Sequence, residues 1–129
     1  MRKIVVSIGN GLLAEAITKM LTESGEFEPY RIGVGSKKNN ICEKCEMYSA
    51  NMLLSEVGYS IGTGFETRLN EARAVREKMP DCQIVFLCDE NSSPEIARKV
   101  MLAKKDGAID AFFYASVTTK YLQAALEAL

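Results

Sequence analysis

The sequence predicts an α/β domain built on a doubly wound parallel sheet. Three observations carry that expectation. Short apolar runs rich in β-branched residues recur along the chain, as in Lys3 to Ile8 and Ile84-Val85-Phe86-Leu87. Amphipathic stretches of helical period stand between them, and glycine or proline marks the changeovers. Strands that alternate with helices of about 10–15 residues imply βαβ units, because a parallel neighbour can be reached only by a crossover.

The first strand, Lys3 to Ile8, ends in the turn Gly9-Asn10-Gly11. From Leu12 to Leu21 the residues Leu12, Leu13, Ala16, Ile17, Met20 and Leu21 recur at helical spacing, and Gly25 is a stop. Pro29 to Val34 reads as a second strand, Ser36 to Asn40 as a polar loop, and Ile41 to Tyr48 as a short helix. Met52 to Val57 is a third strand, followed by a glycine-rich loop from Gly58 to Gly64. Phe65 to Met79 places Leu69, Ala72, Val75 and Met79 on one helical face and is stopped by Pro80. Gln83 to Leu87 is the clearest strand.

Asn91-Ser92-Ser93-Pro94-Glu95 has the makings of a helix start. Serine can cap, proline suits the first turn and an acid suits the dipole. That helix runs to Lys105, where Lys104, Lys105 and Gly107 end it. Ile109 to Tyr114 is a fifth strand, and Thr118 to Leu129 a last helix with Thr118 as its cap. Five βα units account for residues 1–129 as one domain.

The bulk numbers exclude several classes of function. Hydrophobic residues make up 47% and charged residues 26%, the balance of a globular chain with a real core. A net charge of -1 argues against nucleic acid or an anionic membrane as a partner. No stretch approaches the roughly 20 apolar residues of a membrane span, and none reads as a secretory leader. Four cysteines without a secretory context point to reduced thiols in a cytoplasm. Histidine is absent, which removes any histidine base, nucleophile, metal ligand or phosphocarrier.

Three local signals bear on chemistry. Gly9-Asn10-Gly11-Leu12-Leu13-Ala14 matches a dinucleotide-binding fingerprint between a strand and a helix, yet no acid follows the second strand, which runs into Gly33-Val34-Gly35-Ser36. A tight βα turn is the preferred reading, and a small Rossmann-like nucleotide-binding domain or enzyme is the alternative. Cys42-Glu43-Lys44-Cys45 offers two thiols. Cys82 and Cys88 bracket one strand, about 20 Å apart, so they cannot complete a zinc site with that pair. Two thiols on one helical face, rather than a redox or metal site, is expected. Glu56, Asp89 and Glu90 gather at one sheet edge, where an acidic pocket with solvated loop charges is preferred over a weak cation site or an acid/base couple.

From Met52 to Tyr114 the pattern resembles the receiver domains of bacterial two-component response regulators, the CheY-like fold. Met52-Leu53-Leu54-Ser55-Glu56-Val57 is similar to the third receiver strand, and Gly64-Phe65-Glu66 falls where a glycine precedes the third helix. Leu87-Cys88 resembles the end of the fourth strand, and Gly107-Ala108-Ile109-Asp110-Ala111-Phe112-Phe113-Tyr114 the approach to and body of the fifth. The segment from Cys88 to Gly107 is about one helical turn longer than usual. The resemblance implies a five-stranded parallel sheet in the order 2-1-3-4-5.

It also implies a site whose chemical residues are all replaced. Glu56 stands at the phospho-acceptor position, and Ile8 and Gly9 stand where receivers carry the acidic pair that holds magnesium. Cys88 replaces the hydroxyl residue and Tyr114 the lysine, with Ala115 where the family has proline and Ala111 at the switch aromatic. One carboxylate is a poor magnesium site, and a transferring phosphoryl group would find no lysine. What the resemblance implies is therefore a pseudo-receiver: non-enzymatic, without cofactor or metal, and independent of phosphorylation.

Such a module would act through protein contacts on a partner or a fused output domain, DNA-binding or ATPase. A homodimer through the face from the fourth helix to the fifth is the implied mode of pairing. Within the site, Glu56 is expected to accept a hydrogen bond from the Tyr114 phenol. Cys88, at the end of a buried strand, is expected to be less reactive than Cys42 and Cys45, which have Lys44 and Lys38 nearby. Alternation along the last strand puts Phe113 in the core and leaves Phe112 or Tyr114 to face the pocket or the other side.

Overall fold

The computed structural model describes residues 1–34, 40–58, 62–88 and 94–129. The chain alternates β1 (Arg2–Ser7), α1 (Gly11–Ser24), β2 (Phe27–Ile32), α2 (Ile41–Tyr48), β3 (Met52–Val57), α3 (Phe65–Lys78), β4 (Gln83–Cys88), α4 (Pro94–Lys105), β5 (Ala111–Tyr114) and α5 (Thr119–Ala128). The five strands form one sheet in the order β2-β1-β3-β4-β5, with every pair parallel.

The sheet is covered on both faces, which explains the near-continuous apolar runs of β1, β3 and β4. Successive residues of a strand point to opposite faces, so each run splits between two cores. Val5, Leu53, Ile84 and Phe86 pack with Cys45 of α2, Ala72 and Val75 of α3, and Val100 and Ala103 of α4. Ile4, Val6, Met52, Leu54, Val85 and Leu87 pack with Ala14, Ile17 and Leu21 of α1 and Leu122 and Leu126 of α5. Each fully buried Val, Leu or Ile contributes about 1.5–3 kcal/mol.

The helix ends follow from local chemistry. Asn10, Asn40 and Thr118 each accept a hydrogen bond from the backbone N–H three residues on, which satisfies one orphan donor of α1, α2 and α5. Gly25 ends α1 with φ 73°, a left-handed conformation that glycine adopts without penalty. The serine cap expected for α4 falls at residues 91–93, outside the described residues.

Two strands depart from the sequence reading: β5 begins at Ala111 rather than Ile109, and β2 is shifted, ending at Ile32 rather than Val34. β2 begins at Phe27 rather than Pro29, and Pro29 sits within it opposite Ile4. β2 is an edge strand, so alternate amides need no partner and proline is tolerated there. Tyr30 of this strand stacks on Tyr48 at the end of α2, with ring centroids 4.0 Å apart and planes 14° from parallel.

Candidate functional site

The carboxyl ends of the strands lie along one edge of a parallel sheet, and this is where such folds place their ligand crevice. The register aligns Ser7 with Ser55, Val57 with Cys88 and Cys88 with Tyr114. Ile8 and Gly9 after β1, Glu56 of β3, Cys88 of β4 and Tyr114 of β5 are therefore brought to the same edge. Asp89 and Glu90 lie outside the described residues.

Glu56 is half-buried, and its Oε1 accepts the Gly9 backbone N–H at 2.9 Å. A Cβ on Gly9 would stand 3.3 Å from that oxygen, close enough that the carboxylate would have to shift by a few tenths of an ångström. Ile8 is buried in the apolar layer between the sheet and α1. The loop after β3 closes back on its own start, with the Gly58 N–H bonded to the Thr63 carbonyl at 2.9 Å.

The expected partner of Glu56 was Tyr114; the structure gives Gly9 instead. β4 separates β3 from β5, so their axes are about 10 Å apart, whereas β1 is the immediate neighbour of β3. Tyr114 is 41% exposed and meets Phe112 edge-on. Phe113 packs into the core beside α1 and α5, and Phe112 into the opposite one. Cys88 is fully buried, and burial pushes its thiol up to about 11.

Sequence reasoning missed the strongest polar feature of this edge. Arg68 of α3 is 1% exposed and reaches under the ends of two strands. Its Nη1 donates to Ser7 Oγ at 2.9 Å and its Nη2 to the Ser7 carbonyl at 2.9 Å. Its Nε donates to the Glu56 carbonyl at 2.8 Å, and Nη1 also pairs with Glu71 Oε1 at 3.1 Å. The planar fork thus ties β1, β3 and α3 together and fixes a cation below the pocket floor. The pattern carried a signal for it: Arg68, Ala72, Val75 and Met79 share one helical stripe, so an arginine stood in an apolar row. Burial raises the Glu71 carboxyl above its ordinary range, and the attraction of Arg68 offsets only part of that.

This donor set does not fit a divalent cation. A buried isoleucine and a glycine stand where the acidic pair is expected, and among the described residues of this edge the Glu56 carboxylate is already an acceptor for Gly9. Among the described residues no cluster of three or more Cys, Asp or Glu could hold a metal. The turn at Gly9-Asn10-Gly11 is likewise engaged, since Asn10 caps the Leu13 N–H at 3.1 Å.

The two thiols of the Cys42–Cys45 motif differ. Cys42 is partly exposed and lies 3.6 Å from Glu46 Oε1, and burial followed by that bond raises its pKa. Cys45 is fully buried, and its pKa is also raised, first by Cys82 and then by burial. The expectation that basic neighbours favour thiolate at both positions is corrected. At Cys42 burial and the Glu46 and Glu43 carboxylates outweigh the lowering effect of Lys78, and Lys38 lies outside the described residues.

A (βα)5 parallel sheet in the order β2-β1-β3-β4-β5 is the CheY-like, flavodoxin-like class of fold. The solved structures agree. A LuxR-family DNA-binding response regulator from Staphylococcus aureus superposes with a TM-score of 0.75 at 13% identity, covering 98% of this chain and 97% of that one. The chemotaxis protein CheY4 of Vibrio cholerae gives 0.72 at 20% identity, over 98% and 97%. A structure described as adenylate cyclase from Rhodopirellula baltica gives 0.74 at 15% identity, over 98% and 85%. No protein-family model and no curated protein sequence matches. The fold is that of response-regulator receiver domains. Among the described residues no helix is long and apolar enough to cross a membrane.

Proposed function

We propose that this chain is one non-enzymatic pseudo-receiver domain, a cytoplasmic regulatory module that acts through protein contacts without aspartyl phosphorylation. The observation that carries the reading is the carboxylate of Glu56, held by the Gly9 amide at 2.9 Å where the fold would otherwise place magnesium ligands. Arg68 fixes the floor beneath it through both β1 and β3, which favours one standing conformation over a switch. A domain held in one state suits docking better than relay. Its partner is a protein or a fused output domain, DNA-binding as in the Staphylococcus aureus regulator or an ATPase.

The exposed side chains Met101 of α4, Tyr114 of β5 and Tyr121 of α5 supply apolar area for a homodimer through the α4–β5–α5 face. Sedimentation of the chain and of Tyr121→Glu tests that contact, with a monomer expected for the variant if the face pairs.

Incubation with acetyl phosphate, or with beryllium, fluoride and magnesium, tests the main claim by intact mass and amide NMR. No mass gain and no saturable shift are expected. A magnesium-dependent change centred on Glu56 would overturn the proposal.

A further inference from the structure

Between α3 and α4 the surface opens into a groove that holds a cavity of about 240 Å³. Its floor is apolar, made by Phe65 and Leu69 of α3, Ala103 of α4 and Ala108 beyond it. Four charged side chains line it as well: Glu66 and Arg73 from α3, Lys99 from α4 and Asp106 just after α4. The two helices run the same way, since each crosses over between parallel strands. Lys99 Nζ stands 6.0 Å from the centre of the Phe65 ring, so Lys99 and Glu66 share one end of the groove. Arg73 and Asp106 each lie two helical turns further along, about 10 Å away at the other end. The corners therefore alternate in sign around an apolar centre.

Among the described residues Glu66, Arg73 and Asp106 have no ion-pair partner, and Lys99 pairs with exposed Glu95 at 3.8 Å, a contact of little strength. A uniformly charged partner would meet two corners of its own sign. A second copy, turned by a two-fold axis along the groove, meets none. Glu66 comes opposite Lys99 of that copy and Arg73 opposite its Asp106, and symmetry makes each pair twice. The shape agrees. Leu102 of α4 lines the cavity and is 51% exposed, whereas Leu69 of α3 is buried. The same axis lays α4 of one copy over α3 of the other, so that each Leu102 enters the other copy's cavity.

We propose that this groove is a self-docking surface, at which two copies of the chain pair through their α3–α4 faces, with Leu102 as the knob and the four charges setting the register. Its apolar centre is one cavity and one side chain, far less than a standard interface, so the pairing is weak and sets in towards millimolar concentration. Met101, Tyr114 and Tyr121 do not line this groove, so it is separate from the α4–β5–α5 face. Where that face also pairs, the second contact joins dimers into larger assemblies, a consequence that rests on the reading above.

The test uses Tyr121→Glu throughout, so that the α4–β5–α5 contact does not contribute. Amide NMR shifts are followed from micromolar to millimolar chain. Concentration-dependent shifts are expected for residues 65–73 and 99–108, and they should weaken as salt is raised. Adding Arg73→Glu, or Asp106→Arg, turns two attractions into repulsions and should weaken association at least about tenfold. Both side chains are exposed, so neither change threatens the fold. An equimolar mixture of the two variants restores both opposite-sign pairs across the axis and should associate as the parent does. The folding of a single chain cannot produce that rescue. A mixture no tighter than either variant alone, or shifts that fall outside the groove, would overturn the proposal. So would the absence of any shift up to millimolar chain, which would leave the groove to a different partner.

Discussion

The Gly9 backbone N–H and Glu56 Oε1 are joined across 2.9 Å, tying the loop after β1 to the side chain near the end of β3. Glu56→Gln retains an acceptor oxygen, so its stability should stay within about 0.5 kcal/mol of the parent. Glu56→Ala removes the acceptor at a half-buried place and should cost about 1 kcal/mol. Gly9→Ala puts a methyl 3.3 Å from the oxygen and should displace the carboxylate at similar cost. The double variant should cost less than the sum. Additive thermal melts would show that the two residues do not depend on each other.

Arg68 is the single most sensitive polar residue of the carboxyl edge. Arg68→Met keeps much of the volume but strands the Ser7 and Glu56 carbonyls and the Glu71 carboxylate. A loss of about 3–5 kcal/mol is expected, as for breaking a buried ion pair. Arg68→Lys should recover little, because an ammonium cannot reproduce the flat fork that reaches both strands. Urea unfolding reads both. A midpoint unchanged in Arg68→Met would mean that β1 and β3 hold their ends without it.

Glu71 gives the fold a definite acid response. Its folded pKa is raised above 4.5, first by burial, while Arg68 pulls it back. The folded state therefore binds this proton more tightly than the unfolded chain. The resulting stability is fully present below pH 4.5 and is lost as pH rises through the folded value. Glu71→Gln should flatten that part of the profile. Denaturant midpoints of the two proteins across mildly acidic pH should diverge; parallel curves would place the Glu71 carboxyl in water.

Most of the fold was legible because the apolar runs of β1, β3 and β4 and the stripes of α1 and α3 are forced by burial on both faces of one sheet. The start of β2 was not, since the tolerance of Pro29 depends on its being an edge strand, a property of strand order rather than of local sequence. The positions of Ile8, Gly9, Glu56, Cys88 and Tyr114 at one edge followed from the alternation of strands and helices. Their contacts did not. The implied strand order already puts β1 and not β5 beside β3, but that the Glu56 carboxylate turns to the Gly9 amide is a matter of side-chain direction, which local spacing does not carry. Arg68 lies in the stripe of α3, but a charged side chain is almost never fully buried unless paired, and its partners Ser7 and Glu56 are distant in sequence.

The cysteine at the carboxyl edge should be inert until the pH is high. Burial alone pushes Cys88 from 9.0 to about 11, so the thiolate that alkylation requires is scarce at neutral pH. Cys42, the partly exposed thiol, should be labelled by iodoacetamide well before Cys88, while fully buried Cys45 stays protected with Cys88. The same shift has a stability consequence. A folded pKa above the unfolded one contributes stability that is whole below pH 9 and fades as pH rises through about 11. Cys88→Val keeps an apolar group of similar size and has no proton to lose. Its stability relative to the parent should therefore improve steadily between those two pH values. Denaturant melts of both proteins at matched alkaline pH give the difference directly, with the remaining thiols and phenols common to both. A constant difference, or labelling of Cys88 ahead of Cys42, would mean that this edge of the sheet is open to water.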